Sequence, residues 1–201
     1  MESLPINVAQ LNVYILNSLN SDSLEDETLP ILSDLRSINE LGLTTFESQP
    51  CDPKSRTYND GSFWVQRAYL NGMYPKDKIS KFAGKLQQTN PNIVLGETIL
   101  HTNPMKDTLR LYNFKNDGIP LLDGLSPMAC CVENGNINWH DGYSGNVDHP
   151  MIREYIDDYF FEFSPELINE IVENYSMIQV WSQDINDNIF RDIIQSLKSM
   201  N

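Results

Sequence analysis

Positive charge is scarce in this sequence. Fourteen lysines and arginines stand against 28 aspartates and glutamates in 201 residues, a net charge of −14. Such a field repels nucleic acid and anionic membranes, and neither is expected as a partner. Long apolar runs are also missing. None approaches the ~20 residues of a membrane span, and no basic start followed by an apolar stretch marks a signal peptide. Cysteine occurs only as Cys51, Cys130 and Cys131. An odd count with one adjacent pair makes a poor disulfide framework, and neighbours on a strand point to opposite faces. The expectation is reduced thiols and a cytoplasmic location. No P-loop, dinucleotide fingerprint, nucleophile-elbow serine or H-E-x-x-H pair occurs. No catalytic constellation is complete, and no cofactor is expected.

What is present suits an ordinary globular core: 40% hydrophobic and 21% charged residues, over a length that fits one domain spanning 1–201. Charge is uneven. Residues 61–132 hold eight bases and five acids, between strongly acidic ends. A basic middle could suit an anion, but chance clustering on solvated faces is the plainer reading.

Apolar spacing predicts a first helix over about 5–19 and a second over Ile31–Leu41, with Gly42 as its left-handed cap. Leu43 to Ser48 reads as a strand and 49–61 as loop. Phe63 to Leu70 reads as a strand, with Asn71-Gly72 turning after it. Ile79, Phe82, Ala83 and Leu86 mark a third helix whose other face carries Lys78, Lys81 and Lys85. Strands are expected at about 92–100, 107–114 and 128–132, and loop over 133–147. Helices are expected from near His149 and from Ser164-Pro165. Met177 to Ser182 reads as a strand, and Asp187 caps a last helix. This order predicts an α+β fold: one domain, with a mixed sheet packed against amphipathic helices.

The stretch Leu41-Gly42-Leu43-Thr44-Thr45-Phe46-Glu47-Ser48-Gln49-Pro50, with Gln66-Arg67-Ala68-Tyr69-Leu70-Asn71-Gly72 downstream, resembles an uncharacterised family of small bacterial and phage domains. Its pattern is G-x-x-T-x-x-S-Q-P-G, then Q-R-A-x-x-x-G. Gln179 to Asp184, followed by Ile189 to Leu197, is similar to the family's ending. The motifs cover about a third of the chain. Cys51 stands where the family has glycine. The resemblance implies a fold unit and a region of interest, with no reaction attached. The asparagine-rich composition suits an A·T-rich genome, such as that of a virus, and with it an accessory or host-interaction role.

Two regions offer chemistry. The first is Thr45, Ser48 and Gln49 with Gln66 and Arg67, where hydroxyls, amides and a guanidinium can bind a phosphate- or carboxylate-bearing metabolite. On the plainer reading Gln49 bonds its own loop and Arg67 pairs an acid across the sheet. The second is the loop from His140 to His149, where His140, Asp141, Asp148 and His149 have metal-ligand chemistry in an unfamiliar spacing. No metal is assigned there. Cys51 has nucleophile chemistry only if His101 or His140 lies beside it. The run Tyr159 to Phe163 reads as core. The function expected is therefore a non-catalytic binding or interaction domain, with a basic protein partner favoured by the acidic field. A small enzyme or sensor for an anionic small molecule is the alternative, and oligomeric state is left open.

Overall fold

A computed structural model describes residues 7–20, 24, 26, 28–101, 108–113, 129–133, 136–140, 164–184 and 186–200. Among these residues five helices and nine strands follow one another. Helix α1 (Val8–Ser18) precedes a 3-10 turn (Leu29–Ile31) that runs into α2 (Leu32–Glu40). Strands β1 (Thr44–Gln49), β2 (Asp52–Thr57), β3 (Phe63–Gln66) and β4 (Tyr69–Pro75) lead to α3 (Lys76–Thr89). Then come β5 (Ile93–Ile99), β6 (Thr108–Tyr112), β7 (Ala129–Glu133) and β8 (Asn136–His140). Helix α4 (Pro165–Asn174), β9 (Tyr175–Ser182) and α5 (Phe190–Lys198) close the order.

Local signals place two of the helix ends expected from sequence. Gly42 takes φ +90°. The Gly42 N–H donates to the Asn39 carbonyl and the Leu43 N–H to the Ile38 carbonyl. That paired closure helps satisfy the carbonyls of the last turn of α2. At the start of α4 the Ser164 hydroxyl accepts from the Leu167 N–H at 3.2 Å, with Pro165 in the first turn. Asp187 does not cap α5. Its carboxylate accepts from the Ser182 hydroxyl and from Asn90 instead, and the Phe190 N–H reaches Asn188.

The fold is α+β, as expected. One sheet has the order β1-β4-β9-β5-β6 and the other β2-β3-β7-β8. The larger sheet is antiparallel throughout rather than mixed. The reason is an insertion. Strands β4 and β5, joined by α3, run parallel to each other, but β9 lies between them and opposes both. The split crossover leaves no parallel ladder among the described strands.

Helices cover both faces of this sheet. On one, α2, α3 and α5 bury Leu35, Ile38, Ile79, Phe82, Leu86, Phe190, Ile193 and Leu197 against Leu70, Tyr74, Ile93, Leu95, Ile178 and Val180. The Phe82 and Tyr74 rings stand 5.2 Å apart. Each large side chain of this core contributes about 1.5–3 kcal/mol. On the other face, Val8 and Leu11 of α1 and Leu167 and Ile171 of α4 pack over Met73 and Leu100, with Phe46 and Met177 at the border. Lys76 ties these layers together: its ammonium donates to the Val172 carbonyl at 2.6 Å, near the negative end of α4.

Several expectations change here. Residues 52–57 form a strand rather than loop. Their composition is poor for a strand, but β2 is an edge strand, where Pro53 needs no N–H partner. Residues 136–140 likewise pair with β7 instead of looping. Asn71-Gly72 is no turn; both lie inside β4. Glycine is needed at 72 because a β-carbon there would collide with the Thr44 carbonyl oxygen and press on Leu43. The helix expected from near His149 and the Tyr159–Phe163 run lie outside the described residues. No helix among the described residues is long and apolar enough to cross a membrane.

Gly72→Ala is expected to push β1 away from β4 and to lower the unfolding free energy by about 1–3 kcal/mol in urea titration. An unchanged midpoint would mean that the two strands are not held this closely.

Candidate functional site

The two halves of the sequence motif meet at a joint between the sheets. Gln49 of β1 faces Tyr69 of β4 in the larger sheet, and Asp52 of β2 faces Gln66 of β3 in the smaller. The register is the same on both sides of the joint. Residues 44–57 and 63–75 therefore form one long antiparallel ribbon, with Pro50-Cys51 facing Arg67-Ala68 where it passes between sheets. Its far end is closed by Tyr58 to Ser62. There the Ser62 hydroxyl and N–H both donate to Asp60 and hold its carboxyl below the usual range.

The five residues expected to bind a ligand do not share one surface. Thr45 faces Gly72 and Ser48 faces Leu70, which places both on the face covered by α2, α3 and α5. The Thr45 hydroxyl accepts from Asn39 at 2.8 Å, and its N–H donates to the Asn39 carboxamide oxygen at 3.1 Å. Thr45 thus fastens β1 to α2. Gln49 lies on the opposite face, beside Tyr69. Gln66 donates to the Arg67 carbonyl at 2.9 Å and stabilises the joint itself. Arg67 is only 1% exposed. Its guanidinium stacks 5.1 Å from the centre of the Trp181 ring, a contact worth about 0.5–2 kcal/mol.

The richer group of polar side chains lies on the Gln49 side of the sheet. A bulge between Thr45 and Glu47 adds Phe46 to β1. The extra residue turns Glu47 onto the same face as Thr44 instead of the α2 side. Glu47, Asn71 and Gln179 then line up across β1, β4 and β9, and the row runs on to Gly96 of β5. Tyr69 donates its hydroxyl to Glu47 Oε1 at 2.7 Å, and Asn71 donates Nδ2 to Glu47 Oε2 at 3.0 Å. The neighbouring row holds Tyr69, Trp181 and Val94, all buried. Sequence reading passed over Glu47 inside the motif and took Asn71 for a turn residue. Nothing local announces the row, because only strand register assembles it.

A second acid was missed. Glu97 is buried within the apolar strand β5. Its carboxylate accepts from the Ser176 hydroxyl at 3.0 Å and the Tyr112 hydroxyl at 2.8 Å, with Arg110 at 3.7 Å. Burial, helped by Glu97, pushes the Tyr112 phenol up against the opposing pull of Arg110. The sequence signal was there: a charge inside an otherwise apolar run is rarely buried without partners.

Cys51 is half-buried at the joint and is a thiol, not half of a disulfide. Burial pushes its pKa up, and Asp52, Asp184 and Asp187 add to the rise. A thiol held protonated is a poor nucleophile at neutral pH. His140 ends β8, while Asp141, Asp148 and His149 lie outside the described residues. Among the described residues, no group of three histidine, cysteine or acidic side chains is placed to hold a metal.

Alkylation of Cys51 by iodoacetamide, followed by peptide mass spectrometry, is expected to rise only at higher pH than that of an unstructured cysteine peptide. Asp184→Asn should move the profile to lower pH. A wild-type profile at or below the reference would contradict the acidic surroundings of this thiol. No protein-family model matches the chain and no curated protein matches it significantly.

Proposed function

We propose that this chain is a non-catalytic binding domain that docks a basic protein. The observation that carries the reading is the convergence of Asp52, Asp184 and Asp187 on the joint, where all three bear on the Cys51 thiol. Asp52 and Asp184 are exposed there. They add a local acidic surface to a chain of net charge −14. Such a surface steers a cationic partner and raises its association rate. An accessory role in a virus or phage is compatible with this reading and is carried by composition alone.

Binding of an anionic metabolite at Thr45–Gln49 and Arg67 is the weaker reading. Thr45 is committed to Asn39, Arg67 has almost no exposed surface, and three aspartates crowd the same joint.

Titration with a heptapeptide of alternating lysine and arginine, followed by calorimetry, tests the proposal. Saturable one-to-one binding is expected at low salt, weakening as salt screens the charges. Asp52→Asn with Asp184→Asn should weaken it roughly tenfold, equivalent to about 1.4 kcal/mol. No saturable binding at low salt, or saturable binding of inorganic phosphate instead, would overturn the proposal.

A further inference from the structure

The row Glu47–Asn71–Gln179 has a hydrogen-bonding imbalance. Asn71 donates Nδ2 to the Glu47 carboxylate, which only accepts. That bond fixes the orientation of the Asn71 carboxamide and turns its oxygen the other way. The Asn71 Oδ1 atom is buried and has no hydrogen-bond partner among the described residues. Gln179, its cross-strand neighbour, is 9% exposed, and its Oε1 atom is likewise buried without one among the described residues. The carboxamide oxygens of two cross-strand neighbours therefore carry unmet acceptor capacity, and one of the two residues also bonds a carboxylate. Burying such a group unsatisfied costs the free energy of its lost hydration.

The setting narrows the chemistry that relieves this cost. On one side of the row stand Tyr69 and Trp181, and on the other Met73 and Met177. The row starts at β1, an edge strand, where Glu47 and Asn71 are half-buried rather than sealed. A ligand entering along it meets oxygen acceptors and one carboxylate between apolar and aromatic walls. An anion is repelled there. A group with several N–H donors and a positive charge satisfies both oxygens and faces the carboxylate.

We infer that the Glu47–Asn71–Gln179 row is a receiving site for a guanidinium or ammonium side chain of a basic protein partner. The inference rests on the proposed function and deepens it. The acidic joint attracts the partner over a distance, whereas this row holds one of its cationic side chains by directed hydrogen bonds. With five donors in a planar fork, a guanidinium serves several acceptors at once better than the compact ammonium does.

The test uses the full chain, the lysine–arginine heptapeptide, L-argininamide and inorganic phosphate, with the side-chain amide resonances of Asn71 and Gln179 followed by 1H–15N NMR. Saturable shifts of both carboxamides with the heptapeptide are expected, and no shift with phosphate. Gln179→Met, close in volume and lacking the oxygen, should weaken peptide binding roughly tenfold while the thermal unfolding midpoint stays within a few degrees. If that variant does not fold, the wild-type shifts and Glu47→Gln decide the matter, the latter with the same loss expected. A peptide that binds without shifting these amides, and equally well to the variants, overturns this site but leaves the docking proposal intact. A peptide that does not bind overturns both. L-argininamide binding as tightly as the heptapeptide overturns the assignment to a partner's side chain, because the row then reads a free small cation.

Discussion

Strand β9 hydrogen-bonds to β4 on one side and to β5 on the other, joining residues 175–182 to 69–75 and 93–99. Without it the helix α3 would connect two strands with nothing between them. The three helices on one face would lose Ile178 and Val180, and the two on the other would lose Met177 as a surface to pack on. The closure of such long loops costs entropy before any contact repays it. The burial of β9, unbroken from Ile178 to Ser182, is the return on that cost.

The same strand assembles the polar features that matter for function. Gln179 and Trp181 face the side of the sheet where Glu47, Asn71 and Tyr69 lie, and Ser176 faces the other and donates to Glu97. Each polar group is positioned by alternation along β9 and by the register of its neighbours. The bulge at Phe46 is the second device. It switches the face of every β1 side chain beyond it, separating Gln49 and Glu47 from Thr45.

The joint between the sheets explains much of the motif in structural terms. Gln66 braces the Arg67 backbone, Arg67 stacks on Trp181, and Gly72 lets β1 approach β4. These residues hold the ribbon where it passes between sheets rather than converge on one ligand. The acidic side chains around Cys51 come from β2 and from the turn after β9.

The helices were legible in the sequence because their signals are local. The stripes of α2, α3 and α5, the closure at Gly42 and the Ser164-Pro165 start each depend on residues within a few positions of one another. The α+β class followed from the order of such segments. Strands β2 and β8 were not legible, since their polar sequences acquire strand geometry only from partners far along the chain. Asn71-Gly72 has the composition of a turn and lies in a strand for the same reason. Which strand separates β4 from β5, which face Glu47 takes, and whether Thr45 is available or bound to Asn39 were decided by tertiary pairing. Sequence alone determined the charge, the helical stripes, the closure at Gly42 and the Ser164-Pro165 start, but not the start of the last helix, where Asp187 bonds Ser182 and Asn90 instead of capping. Register and strand order, which no short-range rule specifies, decided which polar groups meet.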